Sequence, residues 1–281
     1  MFKSMTAISL AVALAGCSTF SVLMGGQAEH HEGMESSAHH DGAHYEGMDH
    51  AAMYAAHHAD DIAAAINAED RSEGDRNRDA VRHPDVTLTF SQIEPGFRVL
   101  DLGAGAGYYT LLLSGLVGPE GHVTGQSPQD FIDRFGASWP ERHAAMAQGR
   151  GNIDFVVREF DDLGFELESF DAIAFMLTYH DAALAHEDRT EMNAGFFEVL
   201  RPGGLFLLSD NSAPDGSGTE TTQAIHRIDQ ALVIAELEAA GFELIAETDA
   251  LRNPEDDRSI YVWDPAINGF QDKFVMLFRR P

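Results

Sequence analysis

Positive charge is scarce in this chain, and lysine is almost missing from it. The 281 residues hold 18 Lys plus Arg against 46 Asp plus Glu, a formal charge of −28, and Lys3 and Lys273 are the only lysines. A surface of this sign repels phosphate backbones and anionic leaflets, which excludes nucleic-acid binding through a basic footprint. An acid-rich, lysine-poor surface also keeps a protein solvated in saline surroundings, so solubility alone accounts for the charge. Cysteine is nearly absent too. The one thiol, Cys17, rules out an intramolecular disulfide framework and a cysteine-based zinc site. Length allows one or two domains at roughly 100–200 residues each. The 44% hydrophobic share is enough for a sizeable core.

The position of the single cysteine carries information. Lys3 is a short positive n-region, and 5–15 is an apolar, small-residue stretch of signal-peptide length. It ends in Leu14-Ala15-Gly16-Cys17, which resembles a bacterial lipobox, where cleavage leaves an N-terminal cysteine that is lipidated. Several acyl chains there anchor stably, whereas one is marginal at about 0.8 kcal/mol per buried CH₂. A plain signal peptide and an uncleaved anchor are the alternatives, because no charge occurs from 4 to 28. Gly25, Gly26 and the Ser/Thr residues make that span a poor transmembrane helix. All three readings put the folded part outside the cytoplasm. The lipobox reading makes it a periplasm-facing lipoprotein of the cell envelope, on the outer or inner membrane.

The sequence therefore divides into a signal peptide over 1–17, a tether over 18–59 and a folded domain over 60–281. Residues 29–58 hold His30, His31, His39, His40, His44, His50, His57 and His58, with Met34, Met48 and Met53 interleaved. No apolar periodicity precedes 62–66, so the stretch reads as a flexible linker with transient helix. Imidazole suits Zn and Cu, and thioether sulfur adds affinity for Cu(I), but without preformed geometry such capture is loose and weak. A soluble spacer that lifts a domain off the membrane explains the same composition.

From about residue 70 strands alternate with helices, which predicts a parallel sheet covered on both faces. A turn at Pro95-Gly96 leads to a strand over 98–102, then Gly103-Ala104-Gly105-Ala106-Gly107 and a helix over 108–116. Such a strand–glycine turn–helix unit offers backbone N–H groups to a close-lying ligand. A dinucleotide fingerprint needs Gly-x-Gly-x-x-Gly, and Tyr108 stands where its third glycine belongs, so that pattern fails. Further strands are expected over 121–125, 152–157, 170–177 and 205–209, the last fed by a turn at Leu200-Arg201-Pro202-Gly203-Gly204. A helix over 233–240 closes on Gly241, and 242–248 and 274–278 complete seven strands.

An acidic residue followed by Gly-x-Gly-x-Gly, here Asp101 to Gly107, resembles motif I of the class I S-adenosylmethionine (SAM)-dependent methyltransferases. The resemblance runs through the ordered elements from about 69 to 281. Arg82-His83-Pro84, Gly107-Tyr108-Tyr109, Tyr179-His180-Asp181, His226-Arg227-Ile228-Asp229 and the closing 274–281 strand are similar to a group of exported bacterial predicted methyltransferases. The resemblance implies an α/β fold: a Rossmann-like, doubly wound, seven-stranded and mostly parallel sheet with an antiparallel last strand. It implies SAM as cofactor and a small-molecule substrate.

In the family, the residue matched by Asp101 orients the glycine turn and the methionyl amino group, and Gly103, Gly105 and Gly107 leave room for the cofactor. The second strand normally ends in an acid that binds the ribose hydroxyls; Gln126 stands there, able to pair with a hydroxyl but without a carboxylate's charge-assisted strength. Glu159, Phe160 and Asp161 follow the third strand, where the family contacts adenine, although Asp161 also reads as a solvated loop acid. Methyl transfer needs the acceptor held in line and its proton removed. The C-terminal edge of the sheet is the place for both. There His180 reads as a general base, with Asp181 or Asp210 holding its tautomer, or as a helix-capping residue. Tyr179 is expected to line the methyl pocket or bond the substrate. His226 belongs to a lid segment with Arg227 and Asp229, and Arg78, Arg82 and His83 approach from the N-terminal side. No metal-ligating set is read in the domain.

Three functions stay open on the sequence. The first is an exported, membrane-tethered SAM-dependent methyltransferase. The second is a catalytically silent methyltransferase-fold protein that binds a small ligand, favoured by Gln126 and by export away from the cytoplasmic SAM supply. The third is an envelope metal-binding lipoprotein acting through the tether. Fold alone does not choose among them.

Overall fold

The computed structural model describes residues 50–186, 188–267 and 269–281. Cys17, the lipobox and the histidine-rich stretch up to 49 lie outside the described residues. Three helices come first: α1 (His50–Asn67), α2 (Glu73–Arg82) and α3 (Pro84–Ser91). Then follow β1 (Arg98–Leu102), α4 (Tyr108–Val117), β2 (His122–Ser127), α5 (Gln129–Phe135), α6 (Trp139–Gly149) and β3 (Ile153–Val157). The second half runs β4 (Phe170–Met176), α7 (Tyr179–Ala185), α8 (Thr190–Val199), β5 (Leu200–Asn211), α9 (Thr222–Ile225), α10 (Gln230–Ala239), β6 (Glu243–Thr248) and β7 (Lys273–Arg279). No described helix is long and apolar enough to cross a membrane.

The seven strands form one sheet in the order β3-β2-β1-β4-β5-β7-β6. The pairs from β3 through β5 are parallel, and β7 runs antiparallel to both β5 and β6. The α/β sheet is thus of the expected kind, mostly parallel with an antiparallel closing strand. Alternation along each strand splits the core in two, since successive side chains leave opposite faces. Leu100, Leu102, Ile173, Phe175, Phe206 and Leu208 face the α8 and α10 side with Phe196, Val233 and Leu237. Val99, Val123, Ala172, Ala174, Leu207 and Leu277 face the other side with Tyr54, Ile62, Leu88, Leu112 and Leu116.

Helix α1 starts at His50, ahead of the boundary at 60 drawn from the sequence, and it packs on α3 and α4. Its buried residues Tyr54, His58, Ile62 and Ala65 recur at helical spacing. Gly115 of α4 permits the contact: a Cβ there would lie 2.9 Å from Ala65 Cα. The Tyr54 hydroxyl donates to Ile93 O, and the guanidinium of buried Arg71 binds Asp79 at 2.5 Å. Tyr108 donates to the same carboxylate at 2.7 Å, so the N-terminal helices are tied to the start of α4.

Three bounds differ for local reasons. The turn expected over 200–204 is absorbed into a longer β5, with a register irregularity between Phe170 and Ala172 of β4. Helix α10 begins before 233 because the Asp229 carboxylate caps it, accepting from Ala231 N at 3.0 Å. Strand β4 stops before Leu177, whose φ of 59° lies in the left-handed region and turns the chain over the sheet edge.

Candidate functional site

Strand order reverses between β1 and β4, and open α/β sheets hold ligands in the crevice outside the strand ends at such a point. The glycine turn is there. Gly103, Gly105 and Gly107 have φ of 62°, 57° and 81°, a region that favours glycine. Space excludes side chains as well: a Cβ on Gly103 would lie 2.5 Å from the Thr178 methyl, and one on Gly107 would lie 2.8 Å from Met146 Sδ. Asp101 sits under the turn, 2% exposed, accepting from Thr110 Oγ1 at 2.5 Å. Burial pushes its carboxyl up to about 7, against the lowering effect of the Thr110 hydrogen bond and the Arg82 charge.

The turn's donors are engaged from β2. Gly103 N donates to Gln126 Oε1 at 3.2 Å, Ala104 N to Gln126 O at 2.8 Å and Gly105 N to Ser127 Oγ at 3.2 Å. Gln126 Nε2 donates to Arg158 O at 2.5 Å. Expected at a ribose hydroxyl, the Gln126 amide is spent at both ends inside the protein, and the side chain is fully buried. Helix α6 supports the turn from outside. Arg142 Nε donates to Ala106 O at 2.6 Å, His143 Nε2 lies 2.7 Å from Gly105 O, and the His143 ring stacks on Phe155 at 3.7 Å. Burial holds that imidazole below its ordinary value, offset in part by the Gly105 carbonyl. Sequence reasoning misses Ser127, Thr178 and His143 as site residues. The spacing of Trp139 and His143 by four, which puts both on one helix face, is the signal that points there.

Beside the turn, a cavity of about 290 Å³ is lined by Ser127, Ile132, His143, Phe155 and Val157 among others. An open depression next to it is lined by Gln129, Val157, Arg158, Glu159 and Asp162. The adenine-side residues separate here. Glu159 is exposed at the rim and accepts from Gln129 N at 3.3 Å. Phe160 turns into the core, its ring 5.3 Å from Phe175 and 5.7 Å from Phe131. Asp161 is exposed and pairs with His186 Nδ1 at 3.4 Å, away from the turn.

The second half of the site gathers at the ends of β4 and β5. Buried His180 lies in the first turn of α7, and Asp210 near the end of β5 grips it twice: His180 N donates to Asp210 Oδ2 at 2.8 Å, and Nδ1 lies 2.7 Å from Oδ1. That contact fixes the proton on Nδ1 and leaves the Nε2 lone pair free. His180 Nε2 is buried with no hydrogen-bond partner, and so is His226 Nδ1. Asp181 lies between them, 3.5 Å from each through different oxygens. Burial alone would lower the His180 imidazole, but the Asp210 carboxylate outweighs it and holds the group above its ordinary value. Burial raises Asp181, and it lowers His226 with help from the neighbouring His180. Over His226 stand two partly exposed aromatics, Tyr261 at 5.4 Å and Trp263 at 5.0 Å between ring centroids.

Other expectations resolve differently. Tyr179 does not reach this edge: it is fully buried and its hydroxyl donates to Glu236 at 2.7 Å while accepting from Asn193 at 2.9 Å. Its side chain leaves the helix axis about 100° from that of His180 and packs towards α8 and α10, with the Phe175 ring 5.8 Å away between centroids. Arg227 is a fully buried structural cation, paired with Asp256 at 2.8 Å. Arg82 lies over the Tyr108 ring at 4.6 Å, its charge acting on Asp101, and His83 lines a separate cavity of about 440 Å³ together with Arg252, Asp256 and Lys273.

Residues 99–204 match a family model described as a methyltransferase domain. A ubiquinone/menaquinone biosynthesis C-methyltransferase UbiE of Vibrio campbellii (strain ATCC BAA-1116) is 30% identical over 128 residues, 46% of either chain. The same enzyme of Marinomonas sp. (strain MWYL1) is 31% identical over 130 residues, 46% of this chain and 48% of that one. The chain thus spans about half the length of the curated relatives it matches. Among solved structures, a SAM-dependent methyltransferase from Aquifex aeolicus covers 78% of this chain and 98% of its own, with a TM-score of 0.54 and 18% identity. The [4+2]-cyclase SpnF covers 81% and 93%, with a TM-score of 0.51 and 18% identity. These two likenesses show the fold.

Proposed function

We infer, from a chain whose fold is the class I SAM-dependent methyltransferase fold, that it transfers a methyl group from SAM to a small molecule. The observation that carries the reading is the glycine turn at the strand-order reversal, with buried Asp101 under it and the His180–Asp210 pair at the same sheet edge. The residues present fit the cofactor at its methionyl end. The glycines let the turn pack bare backbone against Thr178 and Met146, and a buried carboxyl with little compensation suits an ammonium group. At the ribose end Gln126 is committed to Gly103 and Arg158, which leaves Ser127, Gln129 and Glu159 to meet the hydroxyls. When bound, SAM supplies an activated methyl group. The chain's own part is to hold the acceptor in line and manage its proton.

His180 suits that second task. Asp210 holds its tautomer, and Nε2 presents a lone pair to the cluster capped by Tyr261 and Trp263. Aromatic faces and an acidic surface favour a neutral or cationic acceptor with a flat apolar part. Export through the lipobox and tethering to the envelope are part of the same proposal and rest on the sequence alone.

A second reading, a silent protein that binds a small ligand, is favoured by one observation: Gln126 and Ser127 already satisfy the N–H groups of the turn. Calorimetric titration of SAM and its demethylated product into the chain decides between them. Micromolar binding of both, lost in Asp101→Ala, supports the enzyme. No binding at millimolar concentration removes SAM from the proposal and leaves the ligand-binding reading.

A further inference from the structure

Among the described residues, His180, Asp181 and His226 form a group whose ligand atoms lie within 4.8 Å of one another. Acidic clusters are common and by themselves mean little. This group differs in its nitrogens. His180 Nε2 and His226 Nδ1 are both buried, both lack a hydrogen-bond partner and both lie near one carboxylate. An unsatisfied buried polar atom is costly, about 1–3 kcal/mol, so two beside one carboxylate call for an occupant.

Geometry narrows the occupant. Ligand bonds of about 2.0–2.2 Å in a tetrahedral set place ligand atoms roughly 3.4 Å apart. His180 Nε2 and His226 Nδ1 each lie 3.5 Å from Asp181, through different carboxylate oxygens, and one ligand atom from each residue lies within 4.8 Å of the others, a set slightly wider than a closed tetrahedron. The outer shell is built as well. Metal-bound histidines usually give their other ring N–H to a carboxylate, and His180 Nδ1 lies 2.7 Å from Asp210 Oδ1. Three protein ligands leave a position open, on a cluster bordered by the half-exposed rings of Tyr261 and Trp263.

We propose that His180 Nε2, His226 Nδ1 and Asp181 bind one divalent first-row transition-metal ion, with Asp210 orienting His180 and a fourth position open to an acceptor oxygen. Two imidazoles and one carboxylate suit Zn, Fe(II), Co and Mn rather than Mg or Ca. What the ion serves rests on the methyl-transfer reading, while binding itself does not. Nε2 is a single lone pair: with the ion present it is a ligand, and it acts as a base only without it. Positions 180, 181 and 226 are too far apart in sequence for the set to be read there.

The test is titration of the full chain with Co(II), followed by visible absorption. Histidines of the N-terminal stretch add their own binding, so the readout is the difference between wild type and variants that share that stretch. One equivalent of Co(II) with the strong visible bands of a four-coordinate site is expected, absent in His226→Gln and in Asp181→Asn. Asp210→Asn keeps all three ligands and is expected to weaken binding 10–100-fold. Thermal unfolding checks that each variant is folded. Equal stoichiometry and spectra in wild type, His226→Gln and Asp181→Asn would overturn the site, as would a wild type without the bands. SAM titration of His226→Gln keeps the two proposals apart: intact SAM binding without the Co(II) spectrum fails neither, and intact Co(II) binding without SAM fails only the enzyme.

Discussion

Asp101 is a carboxyl group under the glycine turn, with the Thr110 hydroxyl as hydrogen-bond donor and the Arg82 charge acting on it. Its value near 7, above the ordinary 3.8, means that the folded chain holds a proton the unfolded chain has released. Stability from this group is full below about pH 4, falls as pH rises to about 7 and then levels off. Asp101→Asn removes the ionisation while its amide can still accept from Thr110. The variant should therefore gain on wild type across that window, by on the order of 4 kcal/mol at most. Thermal unfolding at pH 4.5 and pH 8 measures it; an equal gap at both would show that the carboxyl does not titrate there. Gln126 gives a second residue-scale prediction. Gln126→Ala orphans Gly103 N–H and Arg158 C=O, each worth about 1–3 kcal/mol, so unfolding should come several degrees earlier. An unchanged midpoint would mean water replaces both contacts. Roles of this kind were partly legible. Asp101 and the glycines follow from a local motif, and His180 with Asp210 follows from two strand ends. That Gln126 turns inward, that Tyr179 faces the core and that His226 meets His180 depend on packing between distant segments.

At the scale of elements, strands were easy to read because continuous apolar runs such as Ile173 to Met176 are buried from both sides of the sheet. Helix α1 was harder. Its buried face is Tyr54, His58, Ile62 and Ala65, and a histidine and an alanine at apolar positions hide the period inside a histidine-rich tract. The contact it makes can be tested at Gly115. Alanine there improves helix propensity by up to about 1 kcal/mol, but its Cβ meets the Ala65 backbone at 2.9 Å, and backbone yields little. Overpacking wins, and Gly115→Ala should lower stability by about 1–3 kcal/mol. A more stable variant would show that α1 shifts freely on α4. The loop after β6 offers a sharper case. Arg227 spans Asp256, Ile260 O and Ser212 O, so one buried guanidinium pins the segment that carries Tyr261 and Trp263 over His226. Arg227→Ala leaves a buried carboxylate unpaired and should cost about 3–5 kcal/mol. Tryptophan fluorescence should shift red as Trp263 loses its place, and an unshifted spectrum would mean the loop is held elsewhere.

The whole molecule carries −28 charges, and its stability should respond to salt through their mutual repulsion. Two opposing effects have to be weighed. Screening weakens favourable ion pairs, but those that matter most here are protected by burial: Arg227–Asp256 at 0% and 1% side-chain exposure, and Arg71, whose side chain is 0% exposed against Asp79. The exposed pairs, such as Arg134–Asp130 and Arg279–Glu243, contribute about 0–1 kcal/mol each, so their loss is small. Screening also relieves repulsion among the 46 acids, which outnumber the 18 cations and so cannot all be paired. That relief outweighs the loss of the exposed pairs. The unfolding midpoint should rise as NaCl goes from about 0.01 M, where the Debye length is about 30 Å, towards 1 M, where it is about 3 Å. Most of the rise should come at low concentration, because once the screening length falls below the spacing of surface acids little repulsion remains. Salts of different anions separate this from changes in apolar burial: NaCl and NaClO₄ should act alike below about 0.1 M if screening dominates. A midpoint that is flat over that range, or that falls, would show that the acids are spaced widely enough to ignore one another and that the charge serves solubility alone.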